Sequence, residues 1–184
     1  MDQLYVHSSG GTLYQSGAGQ IPGTPDPWNY RWFKPKYFPE NERRAVHDNI
    51  TSSLLNQNIT LLVLAGEYQP PIQHSEIQVL HIPFDDDFQM SDQQLDAILK
   101  AVKPAAIAVA DQLEQGKNAL VTCWAGKNRS SLVSGLALKY LKDPEDQPLF
   151  RGPEVIELIR KNRHPRCLCN PIFHDLVYYN TWES

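Results

Sequence analysis

One segment constrains this chain more than any other. In ALVTCWAGKNRSS, residues 119–131, an apolar β-rich run leads straight into Cys123, a loop containing Gly126 follows, and a helical pattern opens near Arg129. Cys123 and Arg129 stand six positions apart, and so short a connection leaves the backbone little choice but a tight turn at a helix start. The spacing alone is common; its place between a strand and a helix makes it specific.

A loop of this kind points its backbone N–H groups at one spot, where the dipole of the following helix adds positive potential. The expected occupant is a phosphate, cradled by the backbone of Trp124, Ala125, Gly126, Lys127, Asn128 and Arg129. Gly126 supplies a position that tolerates a left-handed conformation. Arg129 offers a planar fork of donors to two phosphoryl oxygens, a geometry that lysine cannot reproduce. The same field favours a thiolate on Cys123 and so a ready nucleophile. Ser130 follows at once, where its hydroxyl can reach the Cys123 sulfur and stabilise it as a leaving group, or cap the helix.

The rest of the chain alternates strands with helices. Residues 1–40 are rich in Gly, Pro and aromatics and read as a mostly irregular arm, with a strand only at Thr12–Gln15. Trp28, Tyr30, Trp32 and Phe33 either staple that arm to the core or frame a pocket. Apolar residues at helical spacing predict a helix over Asn41–Gln57, and short β-rich runs predict buried strands at Ile59–Ala65 and Ile77–Ile82. Ser91 and Gln94 form a capping box that opens a helix, and Pro104 suits the first turn of a second, Ala-rich helix that ends near Gly116. After the strand Ala119–Thr122, helices are expected at Ser131–Leu141, residues 153–163 and Asn170–Tyr179. This order predicts an α/β fold with a central, mostly parallel sheet flanked by helices and the phosphate loop between a strand and a helix. One domain is expected, with arm 1–40 packed on 41–184.

Composition excludes several classes. With 184 residues, 41% of them hydrophobic, the chain can bury one substantial core. A net charge of -4 offers no general field for nucleic acid, so any anion site must be local. No stretch approaches the ~18 apolar residues of a membrane span, and the start lacks a basic then apolar leader, so a soluble, cytoplasmic protein is expected. Three cysteines, with Cys167 and Cys169 too close to pair easily, make no disulfide framework and leave a thiol free. The sequons at Asn49 and Asn58 are read as coincidence for such a protein. His164, Cys167, Cys169 and His174 lack the spacing of a zinc finger, so neither metal nor other cofactor is expected. Arg160, Lys161, Arg163 and Arg166 read as a basic helix end.

The Cys123 segment resembles the C-x5-R signature of the protein tyrosine phosphatase superfamily, and C-x-A-G-x-x-R-S is most similar to its dual-specificity branch. NITLLVLAGEYQPP with VLHIPFDDDF, the C-terminal VIELIRKNRHPRCLCNPIFHDL, and LYQSGA are also similar to segments of that branch, so the likeness runs from about residue 12 to 180. It implies a cysteine-phosphatase catalytic domain that forms a phosphocysteine, and a general acid from the acidic loop. Register after Ile82-Pro83 favours Asp86, with Asp85 and Asp87 as alternatives. Two departures stand out: Thr122 where the family has a His, and Ile172 where it more often has Gly. The implied substrate is a phosphoprotein, on Tyr with or without Ser and Thr. Lys127 resembles the lipid-phosphatase signature and Gly126-x-Asn128-Arg129 the RNA 5′-triphosphatases, leaving phosphoinositide and RNA 5′-phosphate as alternatives. A catalytically weak phospho-binding module and a sulfurtransferase are the rivals from other classes. Oxidation would join Cys123 to Cys167 or Cys169 should the fold bring them together. Oligomeric state is not legible.

Overall fold

The strand that carries Cys123 lies at the centre of the sheet. The computed structural model describes residues 1–24, 39–66 and 72–179; Trp28, Tyr30, Trp32 and Phe33 lie outside them. Its strands are β1 (Asp2–Val6), β2 (Thr12–Gly17), β3 (Ile59–Leu64), β4 (Gln78–His81) and β5 (Asn118–Cys123). They line up as β1-β2-β5-β3-β4, with β1 antiparallel to β2 and the other pairs parallel. Gly17 pairs with Cys123, and Leu64 with Thr122, so both neighbours end level with Cys123. In open parallel sheets the crevice beyond the strands' carboxyl ends is where ligands bind.

Among the described residues five α-helices flank this sheet: α1 (Glu40–Asn56), α2 (Asp92–Glu114), α3 (Arg129–Tyr140), α4 (Gly152–Asn162) and α5 (Pro171–Tyr179). β3 and β5 read as nearly unbroken apolar runs because both their faces are covered. On one side Leu61, Val63 and Val121 pack with α2 to α5; on the other Leu62, Leu64 and Leu120 meet Ile50 and Leu54 of α1. The result is a single α/β domain whose helices fall within a residue or two of the sequence-predicted bounds, with one exception in α2.

Two expectations are corrected. The arm is not irregular from its start, since Asp2–Val6 forms an edge strand in a hairpin with β2, closed where the His7 N–H donates to the Gly11 carbonyl at 2.8 Å. Only Leu4 of that strand is fully buried, so no alternation announces it. Pro104 does not start a helix, because α2 runs unbroken through it. An internal proline costs a helix about 3 kcal/mol. Here Pro104 lies on the exposed face, where water can reach the carbonyl of Lys100, and Val102, Ala105, Ala106 and Val109 bury the opposite face. Among the described residues no helix is long and apolar enough to cross a membrane.

Candidate active site

β5 ends at Cys123 and α3 begins at Arg129, so the loop between them stands over the sheet's carboxyl edge. Gly126 adopts φ +66, and a Cβ there would stand 2.5 Å from the backbone nitrogen of Gly17. The position therefore needs glycine twice, for its left-handed backbone and for its contact with β2.

Three donors hold the carbonyl of Gly126. The Gln15 amide donates at 3.0 Å, the Arg163 Nε at 3.1 Å, and the Cys167 thiol approaches at 3.9 Å. Arg163 Nη2 also reaches the Ala125 carbonyl at 3.3 Å, and the remaining donors of its fork meet Asp2 and Gln20. Two further backbone bonds fasten the loop, Ala18 N–H to the Trp124 carbonyl at 3.2 Å and Leu168 N–H to the Lys127 carbonyl at 3.0 Å. The carbonyls of Trp124, Ala125, Gly126 and Lys127 are thus each held by a donor from outside the loop.

Cys123 is buried, and its sulfur lies 3.2 Å from the Ser130 hydroxyl. Ser130 is fully buried inside the first turn of α3; the N-cap position belongs to Asn128, so the capping reading of Ser130 is not what the structure shows. Facing a thiolate, a hydroxyl can only donate. Arg129 donates from Nη1 to the Phe84 carbonyl at 3.1 Å, which ties the phosphate loop to the acidic loop. Trp124 stands at the rim, 41% exposed. Ala125 is exposed, while Lys127 is half-buried.

The three aspartates divide. Asp86 turns toward the phosphate loop, where its Oδ2 accepts from the Asn128 amide at 3.0 Å and its Oδ1 from the Asn170 amide at 3.0 Å. Asp85 and Asp87 are exposed and border a separate groove floored by Met90, Ala97 and Ile98.

Sequence reasoning missed Gln15, Arg163 and the side-chain role of Asn170. A buried Gln inside the LYQSGA strand was the available signal, since a polar side chain facing a core needs a partner; Arg163 looked like any basic helix end. Cys167 and Cys169 both pack on the loop: Cys167 is buried, and the exposed Cys169 donates its thiol to Asn128 Oδ1 at 3.3 Å. Burial pushes the Cys167 thiol up, against the opposing pull of a Ser131 hydrogen bond and the Arg163 charge. Among the described residues no three His, Cys, Asp or Glu side chains are grouped to hold a metal.

Comparison with solved structures decides the fold. Human DUSP28 matches with TM-score 0.59 at 18% identity, over 96% of this chain and 92% of that one. The chain has the dual-specificity phosphatase fold. A kinase associated phosphatase with its catalytic site cysteine replaced by serine matches with TM-score 0.58 at 15% identity, over 91% and 83% of the two chains. Tk-PTP in its active form gives 0.54 at 13% identity over 98% of each. No family model matches the sequence, and no curated protein does.

Proposed function

We propose that this protein is a cysteine-dependent phosphatase that hydrolyses phosphate monoesters through a phosphocysteine, with phosphorylated tyrosine in proteins, and serine or threonine besides, as its substrate. The observation that carries this reading is the Cys123 sulfur lying 3.2 Å from Ser130 Oγ beneath a Gly126-turned loop, with the Asp86 carboxylate hydrogen-bonded to that same loop. The kinase associated phosphatase of the same fold has a catalytic site cysteine.

In the first step the Cys123 thiolate forms the S–P bond as the ester O–P bond breaks, and Asp86 gives its proton to the departing oxygen. Arg129 and the loop N–H groups carry the charge on the equatorial oxygens. In the second step Asp86 takes a proton from water as the new O–P bond forms. The S–P electrons return to sulfur, where the Ser130 hydroxyl stabilises the thiolate. The nucleophile is the protein's own, so no metal is required. Its three free thiols suit the reducing cytoplasm.

The test is phosphate release from p-nitrophenyl phosphate and from a phosphotyrosine peptide in the presence of a chelator, for wild type, Cys123→Ser, Arg129→Ala and Asp86→Ala. Chelator-resistant turnover abolished in Cys123→Ser is expected. Tight phosphopeptide binding without release would make the protein a phospho-binding module instead.

A further inference from the structure

Asn128 stands just before Arg129 in the phosphate loop and is the N-cap of α3, yet its side chain does not cap that helix. Both ends of its amide go elsewhere. Nδ2 donates to Asp86 Oδ2 at 3.0 Å, while Oδ1 accepts from the backbone N–H of Cys169 at 3.0 Å and of Asn170 at 3.3 Å, and from the Cys169 thiol at 3.3 Å. Asn170, fully buried, closes the circuit: its Nδ2 donates to Asp86 Oδ1 at 3.0 Å and to the Asp87 carbonyl at 2.8 Å, and its Oδ1 accepts from the N–H groups of Ile172 and Phe173 at the start of α5. One carboxylate is thus gripped at both oxygens, from the phosphate loop on one side and from the α5 entrance on the other.

Building on the phosphatase reading, we infer that Asn128 is a positioning residue that sets the general acid from within the phosphate loop. Its amide is a planar group with donor and acceptor on one end, so it can hold Asp86 and the 169–170 backbone at once. Aspartate at this position keeps the acceptor and loses the donor; alanine loses both. Each Asp86 oxygen accepts one side-chain amide bond, which leaves a lone pair on each for the travelling proton. Two residues earlier the Phe84 carbonyl is held by Arg129, so the acidic loop is fastened at two points by consecutive residues of the phosphate loop.

Loss of that placement harms proton transfer more than thiol chemistry, a pattern that leaving groups report. p-Nitrophenolate departs with little help from an acid, whereas phenolate needs its proton. For Asn128→Ala and Asn128→Asp, kcat on phenyl phosphate is expected to fall roughly 10- to 100-fold, the scale of a misplaced catalytic group, and kcat on p-nitrophenyl phosphate by a clearly smaller factor. Asn128→Ala combined with Asp86→Ala should be no slower on phenyl phosphate than Asp86→Ala alone. Alkylation of Cys123 by iodoacetate should slow in Asn128→Ala by a smaller factor than phenyl phosphate turnover. Equal losses on the two substrates, additivity in the double variant, or alkylation slowed as much as turnover would assign Asn128 to loop structure and overturn the positioning role. A wild type that turns over neither ester removes the phosphatase reading and this role with it, a result distinct from uniform losses in an active enzyme. If Asn128→Ala fails to fold, the near-isosteric Asn128→Asp carries the same comparison.

Discussion

The phosphate loop and the turn that joins α4 to α5 touch each other and contribute in opposite ways. The loop is a local device: Cys123 to Arg129 is contiguous, the proposed phosphate contacts come from its own backbone, and one left-handed glycine sets its shape. The turn works through side chains sent across from residues 163 to 170. Arg163 holds two loop carbonyls from outside, Cys167 packs beneath Gly126, and Asn170 holds Asp86. A binding surface can be written locally, whereas its orientation is supplied from more than thirty residues away.

Breaking the local half should have the larger effect. Cys123→Ser removes the nucleophile, and kcat should fall by about 10⁴-fold or more in a phosphate-release assay. Gly126→Ala places a Cβ 2.5 Å from Gly17 N on a backbone at φ +66. A loss of roughly 1–3 kcal/mol in urea unfolding, together with most of the activity, is expected.

The distant half should respond more gently. Arg163→Ala removes the Ala125 carbonyl's donor and one of the three donors to the Gly126 carbonyl, and KM for aryl phosphate should rise roughly 10-fold as the cradle loosens, with about 1–3 kcal/mol lost from stability. Arg163→Lys should recover little, because a point charge cannot span the two carbonyls, Gln20 and Asp2. A lysine that restored full activity would show that charge alone supports the loop.

The smallest effect belongs to Cys167. With its thiol pushed up by burial, it should stay protonated and unmodified by iodoacetamide in the native protein at pH 7.5, while Cys123 reacts; peptide mass mapping reads this directly. The linkage has a definite sign. Above the ordinary thiol value of 9.0 the unfolded chain releases this proton before the folded one, so the group's contribution is complete below that pH and declines as pH rises toward the folded value. Cys167→Ala should flatten that alkaline decline in melting temperature.

The same contrast explains what could be read from the sequence. Cys123, Gly126, Arg129 and Ser130 were legible because strand, turn and helix signals meet within a few residues. The three aspartates could be ordered only by register, since facing is a tertiary property; Asp86 differs from its neighbours by two amides, one of them 84 residues away. Gln15 and Arg163 were illegible as supports because each residue type is ordinary in its element, and only the fold shows that both reach the Gly126 carbonyl. Pro104 misled because a proline inside a helix is tolerated according to which side faces water, and that depends on what covers the other side. β1 went unseen because an edge strand with one buried residue has no period to read.

The contact between Asp2 and Arg163 spans 161 residues, nearly the whole chain. During synthesis the first strand emerges long before its arginine partner, and a nascent polypeptide that has just completed α3 already contains Cys123 and the entire loop sequence without the cation beneath it. Contacts of such long range form late and slow folding. The Cys123 thiol is thus made early and housed late, and for that interval it belongs to an unfinished pocket.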